Sequence, residues 1–381
     1  MMILPGATLG MLGGGQLGRM FTQRARAMGY RVVVLDPDPL SPAGAVADRH
    51  LRAGYGDPAA LDELARSCAA VTTEFENVPA ESLASLAGRC VVWPPADAVR
   101  IAQDRISEKE FLRDRGLATA PFRAVRSAEE ARRAMEEIGA PALLKTSRMG
   151  YDGKGQAPVA TPDEAAAAFA RFGRVPCVLE RRLALELEVS VVLARGADGV
   201  VVPFPPAENT HRNGILDTSV VPARIPPALA ARAQALAKDV ASALSYVGVL
   251  GVELFVADGG KLYVNELAPR PHNSGHFTLD ACATDQFEQQ LRALCGLPLG
   301  EPRLLTPVTM INLLGDLWFP REPRWERALA LPGVKLHLYG KREPRPGRKM
   351  GHLNCLASSA EEALRLALAA REALVNPDPA S

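Results

Sequence analysis

The stretch GVELFVADGGKLYVNELAPRPHNSGH (251–276) decides how the rest of the chain is read. Val252, Leu254 and Val256 recur at every second position, Asp258, Gly259 and Gly260 form a turn signal, and 262–267 alternates again, so the spacing predicts a β-hairpin. Glu253 falls on its first strand and Glu266 on its second, and antiparallel pairing can bring two such side chains face to face. Facing carboxylates repel, so each needs a cation. Oxygen ligands from Asp, Glu and Asn suit magnesium, which usually binds substrate phosphates as well. The alternative is a pair of solvated edge residues. The next segment weighs against it: Arg270, His272, Asn273 and His276 crowd a loop interrupted by proline and glycine. His272 and His276 have a zinc-like spacing, but Pro271 and Gly275 oppose the helix it needs. They read as substrate contacts.

The 381 residues suggest two or three domains. Hydrophobic residues at 48% and charged residues at 23% are ordinary for a globular protein, so core building is no constraint. A formal charge of +1 offers no bulk field for nucleic acid or an acidic membrane surface. No apolar run is long enough to span a bilayer. The six cysteines are scattered without a Cys-x-x-Cys pair, which suits a reducing, cytoplasmic setting. The glycine-rich start leads straight into a folded motif and does not read as a signal peptide.

That motif is GGGQLGRM (13–20). A strand over 8–12, a Gly-x-Gly-x-x-Gly turn, a helix over 17–28 and a strand over 31–36 ending in Asp36 make a βαβ unit with a nucleotide-binding fingerprint. Alone it points to an NAD-dependent oxidoreductase. Pro37 and Pro39 crowd the ribose position, however, and no hydride-transfer site follows. The alternative anion is the phosphate of a small substrate, held by the turn and Gln16. A strand over 70–73 then ends in Glu74, Phe75, Glu76 and Asn77, at the carboxyl end where parallel sheets bind ligands.

Further on, a helix over 104–114 carries Arg105 and Lys109 on one face, and a strand over 141–146 places Lys145 near its end. GYDGKGQ (150–156) is a flexible loop whose amides can wrap phosphate oxygens. It is not a Walker A loop, because no Ser or Thr follows Lys154. A strand over 177–180 ends in Glu180, Arg181, Arg182 and Leu183, and 185–193 puts Glu186, Glu188 and Ser190 on one face. A strand over 200–204 leads to His211, and a helix spans 227–245. In the tail, strands over 308–314 and 334–339 precede Lys341, and RPGRKMGH (345–352) sets three cations around a turn, either a solvated face or a site for a phosphate monoester. A helix over 360–374 closes the pattern, and 376–381 is expected to fray.

The lysine strand, glycine-rich loop, hinge Glu and late Glu hairpin together resemble the ATP-grasp ligases. The four motifs GGGQLGRM, GYDGKGQ, NELAPRPHNSGH (265–276) and RPGRKMGH more narrowly resemble the 5-(carboxyamino)imidazole ribonucleotide synthase family. The resemblance implies an α/β chain, α+β in its ATP-grasp part: a Rossmann-like domain over 1–103, an ATP-grasp domain over 104–300 with a mobile lid at about 120–184, and a small C-terminal α/β domain over 301–381. It implies that ATP phosphorylates bicarbonate and that carbon dioxide from carboxyphosphate is captured by the amine of 5-aminoimidazole ribonucleotide, with magnesium or manganese and a homodimeric enzyme.

By matching motifs, Arg105, Lys145, Gly150, Tyr151, Asp152, Gly153, Lys154, Gly155, Gln156, Glu180, Arg181, Arg182, Leu183, Glu188, His211, Asn265 and Glu266 would hold ATP, and Glu253 and Glu266 the metal. Tyr151, Asp152, Arg270, His272, Asn273 and Ser274 would surround bicarbonate and the ribonucleotide, with Asp152 the candidate to take the amine proton. Gln16, Leu17, Glu76, Lys341, Arg348 and Lys349 would complete that site, the basic three facing its phosphate. Many ATP-grasp members carry Asn two residues after the second metal Glu; here that position is Ala268, which puts a third protein ligand in doubt. The competing readings are the formate-dependent glycinamide ribonucleotide transformylase, an oxidoreductase and a non-catalytic nucleotide-binding module.

Overall fold

Among the residues that the computed structural model describes, 2–150 and 153–375, three β-sheets carry the chain. The first is a five-stranded parallel sheet in the order Arg49–Leu51, Arg31–Leu35, Thr8–Leu12, Ala70–Thr73, Val91–Val92. Its three central strands, Arg31–Leu35, Thr8–Leu12 and Ala70–Thr73, are almost wholly buried because helices cover both faces. The helix Gln16–Ala27 starts directly after the glycine turn, as the fingerprint predicts.

The central sheet has nine strands. The hairpin Gly248–Ala257 and Lys261–Ala268 lies at one edge, followed by Leu185–Arg195, Ala207–Arg212 and Ile215–Val221. Val308–Leu314, Lys349–Leu356 and Val334–Leu338 from the tail continue it, while Val201–Pro203 pairs off this path with Leu185–Arg195. The helix Pro227–Ala243 covers the hairpin end, with Ala233, Ala237, Val240 and Ala241 buried against Val252, Leu254 and Val264. Trp325–Leu329 and Ala360–Val375 cover the tail strands.

The third sheet has four antiparallel strands, Phe122–Val125, Cys177–Arg181, Ala142–Thr146 and Gln156–Val159. Helices Ala128–Ile138 and Pro162–Arg171 pack on it, both opened by side-chain caps, Ser127 to Glu130 and Thr161 to Glu164. Its core, from Val125 to Leu179, is drawn wholly from this segment. The first sheet shares its core instead: Phe287, Leu291 and Leu294 of helix Gln286–Leu294, together with Tyr339, pack among Leu9, Met11, Met20 and Phe21. All six cysteines are free, and no helix among the described residues is long and apolar enough to cross a membrane. Tyr151, Asp152 and 376–381, named above on sequence grounds, lie outside the described residues.

Candidate active site

The hairpin forms as its alternation predicts. Asp258, Gly259 and Gly260 take φ of 51°, 75° and 82° at its tip, a left-handed run that two glycines make cheap. Glu253 and Glu266 are register partners, with a bulge just after Glu253. Each carboxylate has its own counter-group: Arg105 Nη1 lies 3.1 Å from Glu266 Oε2, and His272 Nε2 lies 3.2 Å from Glu253 Oε1. Burial pushes the Glu253 carboxyl up, but the hydrogen bond from His272 and the charges of His211 and Arg105 outweigh it and hold the group below the usual carboxylate range. Asn265 Nδ2 donates to Glu253 Oε2 at 3.4 Å, and its Oδ1 is buried with no partner among the described residues. Two facing carboxylates and an orphaned amide oxygen are a donor set that a hard divalent cation fits. Asn265, although it precedes Glu266, thus offers an oxygen where Ala268 cannot.

Arg105 and Lys109 share a helix face, as their spacing predicts. Asp104 caps that helix, Arg105–Asp114, and also accepts from Ser147 Oγ at 2.6 Å, which ties the helix start to the Lys145 strand. Lys145 and the wholly buried Lys109 converge on Glu180, at 3.1 and 3.6 Å. Burial raises the Glu180 carboxyl, yet Lys109 and Lys145 hold it down at about 2. Burial lowers the Lys109 ammonium against the pull of the same carboxylate. One carboxylate facing two ammoniums is the group whose charge is favoured. Glu180 Oε1 has no partner among the described residues and lines the cleft. The sequence reading overlooked Glu108, which is 1% exposed and accepts from Leu267 N at 3.2 Å. Burial and the neighbouring Glu266 push its carboxyl well up. Only its helical spacing from Arg105 hinted at a place here.

A cleft of about 1140 Å³ gathers Arg105, Lys145, Glu180 and the hairpin carboxylates, with Glu108 and Lys109 behind its lining. Arg105, Lys145, Gly153, Lys154, Gly155, Gln156, Glu180, Arg181, Arg182, Leu183, Glu188, His211, Glu253, Asn265 and Glu266 face it from the sheets and the hairpin. Gln16, Leu17, Glu76, Arg270, His272, Asn273, Lys341, Arg348 and Lys349 face it from the other side. His211 Nδ1 lies 2.9 Å from Glu188 Oε2, and Arg270 Nε lies 2.5 Å from Glu76 Oε2. Both ends of the Asn273 amide are buried without partners among the described residues, as a ligand-binding amide would be. Gly150 is just outside the lining and accepts from Arg105 Nη2 at 3.2 Å.

Two expected contacts are displaced. Ser274 has no exposed surface and bonds Ser190 Oγ at 2.7 Å, beneath the cleft. His276 is equally buried, bonded to Gln286 Nε2 at 3.0 Å and set 4.8 Å from the His352 ring, so it is a core aromatic and no substrate contact. The short 3-10 turn Asn273–Gly275 causes both, directing Asn273 outward and its successors inward.

The glycine turn corrects a third expectation. Its amides are taken by the protein's own carboxylates: Gly14 N–H donates to Asp36 Oδ2 at 2.6 Å, Gly18 N–H to Glu74 Oε2 at 2.7 Å, and Gly15 N–H to Glu74 Oε1. A dinucleotide or substrate phosphate would have to displace two buried acids, which disposes of the oxidoreductase reading of this motif. The glycines are there so that Glu74 can approach. A Cβ at Gly15 would sit 2.6 Å from Glu74 Oε1, whereas one at Gly54 would meet nothing within 4 Å. Gly15→Ala is therefore expected to lose roughly 1–3 kcal/mol in denaturant unfolding, with Gly54→Ala close to neutral.

Comparison with known proteins agrees with this architecture. Family models match the ribonucleotide synthetase preATP-grasp domain at residues 6–103, the ATP-grasp domain at 110–287 and the phosphoribosylaminoimidazole carboxylase C-terminal domain at 308–366. The N5-carboxyaminoimidazole ribonucleotide synthase of Brucella melitensis is 47% identical over 351 residues, 92% of this chain and 96% of that protein. The crystal structure of an N5-carboxyaminoimidazole ribonucleotide synthetase with ADP superposes with a TM-score of 0.91 at 43% identity, over 97% of each chain. The Aspergillus clavatus N5-carboxyaminoimidazole synthase, solved with ADP and 5-aminoimidazole ribonucleotide, superposes at 0.89 with 31% identity, over 97% of this chain and 98% of its own. With sequence, domain order and fold shared over almost its whole length, the chain belongs to the N5-carboxyaminoimidazole ribonucleotide synthase family of ATP-grasp enzymes.

Proposed function

We propose that this chain is an ATP-dependent ligase that carboxylates 5-aminoimidazole ribonucleotide with bicarbonate, forming the carbamate, ADP and phosphate in purine biosynthesis. The observation that supports the reading is the one cleft to which a Lys145 and Glu180 group, a Lys341, Arg348 and Lys349 group and the Glu253 and Glu266 pair all contribute. A nucleoside triphosphate suits the first and a phosphate monoester the second.

In this reading the γ-phosphoryl group passes to a bicarbonate oxygen, ADP leaves, and carboxyphosphate divides into carbon dioxide and phosphate. The exocyclic amine bonds to the carbon and gives up a proton. Lys145 and Arg105 neutralise the triphosphate, with Glu180, Arg181, Arg182, Leu183, Glu188, His211 and the loop at 150–156 completing the ATP site. Glu253, Glu266 and the Asn265 oxygen would hold magnesium or manganese, which when bound draws charge from the phosphate oxygens. Arg270, held by Glu76, carries a fixed positive charge toward bicarbonate, and His272 and Asn273 orient it. Gln16, Leu17, Lys341, Arg348 and Lys349 seat the ribonucleotide. Asp152, in the loop, takes the amine proton. Phosphoryl transfer needs chiefly such positioning and charge neutralisation. Placing the amine beside nascent carbon dioxide contributes roughly 7–11 kcal/mol at best. Domain limits of 1–103, 104–300 and 301–381, a homodimer and a cytoplasmic setting complete the reading.

The test is ADP release with ATP, magnesium and 5-aminoimidazole ribonucleotide, with and without bicarbonate. Bicarbonate-dependent ADP release with matching carbamate is the expected result. ADP without carbamate would remove the acceptor assignment, and turnover only on formate and glycinamide ribonucleotide would transfer the chain to the transformylase reaction.

A further inference from the structure

Behind Glu253 a line of buried side chains crosses the central sheet and touches no part of the cleft except through His272. We propose that Ser219, Asn209, Ser190 and Ser274 form a one-way hydrogen-bond chain that locks His272 as its Nε2–H tautomer and thereby fixes which oxygen Glu253 presents to the cation. The four are positioning residues, and the inference rests on the reading of Glu253 as a cation ligand.

The links are short and continuous. Ser219 Oγ donates to Asn209 Oδ1 at 2.7 Å, and Asn209 Nδ2 donates to Ser190 Oγ at 2.8 Å. Ser190 Oγ lies 2.7 Å from Ser274 Oγ, and Ser274 Oγ lies 2.8 Å from His272 Nδ1. His272 Nε2 then reaches Glu253 Oε1 at 3.2 Å. Strand register builds the line: Ser219 pairs with Asn209, and Ser190 pairs with Glu253. Ser190, Ser219 and Ser274 are at most 1% exposed, so solvent cannot supply alternative partners.

Direction follows from counting protons. The Asn209 amide nitrogen can only donate, so the Ser190 hydroxyl receives that bond and its own proton goes to Ser274. Ser274 Oγ has two lone pairs and one proton, and His272 Nδ1 is the one remaining partner for that proton among the described residues, so the ring proton stays on Nε2, aimed at Glu253. Two observations independent of the serine hydroxyls agree. The Ser274 backbone N–H also points at Nδ1, at 3.4 Å, and an amide needs a lone pair there. At the far end a carboxylate oxygen can only accept. Gln286 holds the His272 backbone at both N and O, at 2.8 and 2.9 Å, so the ring stays under this chain. With Oε1 bound by the imidazole, Oε2, whose one protein contact is a long 3.4 Å bond from Asn265 Nδ2, is the oxygen offered to the cation. Outer partners that orient a ligand in this way are commonly worth 10–100-fold in metal affinity.

Asn209→Asp tests the chain because it replaces an obligate donor with an obligate acceptor of the same shape. Nitrogen NMR of histidine-labelled, ligand-free enzyme at about pH 8, above the ordinary histidine pKa, reads the tautomer, with His272→Gln assigning the signal. The wild-type ring is expected to carry its proton on Nε2 and the variant ring on Nδ1. Manganese titration of the ADP-loaded enzymes is expected to show affinity about tenfold weaker in the variant. A merely structural Asn209 would lower the melting temperature without moving the ring proton. An Nδ1–H imidazole in the wild type overturns the chain even if the variant does not fold, and so does an unchanged tautomer in a folded variant. A reversed tautomer with unchanged manganese affinity overturns its link to Glu253. Failure of the wild type to bind manganese would instead sink the cation-ligand reading, which the ring signals do not depend on.

Discussion

Glu266→Gln is expected to lower bicarbonate-dependent ADP release by roughly 10²–10³-fold while leaving the fold in place. The substitution keeps the side chain's shape and removes one negative charge from a pair whose strands set the two carboxylates opposite each other. Glu266 is the more exposed of the two, at 41% of its side chain, so its loss strands no buried partner beyond Arg105. The effect should therefore appear in kcat, where charge developing on the transferring phosphoryl group goes unneutralised, and not in the melting temperature. Steady-state kinetics at saturating ATP and metal, paired with a thermal melt, separate the two. Activity within threefold of wild type in a folded variant would mean that the hairpin does not hold the cation.

Glu180→Gln acts on stability first. Glu180 is 2% exposed and is the carboxylate on which the buried Lys109 and Lys145 converge. Removing one partner of a buried ion pair usually costs about 3–5 kcal/mol, because the stranded charge cannot recover its hydration. For a chain of this size that is a melting-temperature loss of roughly 4–6 °C. A shift under about 2 °C, on the same scale, would show that Lys109 is satisfied by its bonds to Thr119 Oγ1 and the Asn265 carbonyl, at 2.8 and 3.0 Å. The same residue has a pH signature. Its carboxyl is held at about 2 in the folded protein against an ordinary value of 4.5. The unfolded chain thus takes up the proton first as pH falls. The stabilisation is complete above about 4.5 and is lost between there and about 2, amounting to roughly 3 kcal/mol. Glu180→Gln should flatten that part of the stability curve.

What could be read from the sequence was what local rules govern. Alternation and a turn signal placed the hairpin, and because side chains repeat every two residues, Glu253 and Glu266 could be expected on one face. The helical spacing of Arg105 and Lys109 likewise carried through. What could not be read depended on partners far along the chain. Glu108 meets Leu267 across 159 residues, and no local pattern separates it from an exposed helical Glu. His276 sat in a motif whose Asn265, Glu266, Arg270, His272 and Asn273 line the cleft, yet one 3-10 turn sent it into the core beside His352. The glycine turn was read as a site for a ligand's anion, but its amides are taken by Glu74 and Asp36, and motif spacing cannot say whether the charge comes from a ligand or from the protein itself.

The way the cores are divided bears on how the molecule comes apart. Because Phe287, Leu291 and Tyr339 are packed into the first sheet, and the tail strands are hydrogen-bonded into the central one, these layers should absorb heat in one cooperative transition. The four-stranded sheet keeps its own core and leans on the remainder through Ile106, Phe122 and Val178. Its amides should therefore exchange with deuterium through a separate, lower-energy opening. That opening would release Lys145 and Glu180 together, since both ride on that sheet, while Glu253 and Glu266 stay protected. Nucleotide spanning the two bodies would slow exchange in the smaller one alone.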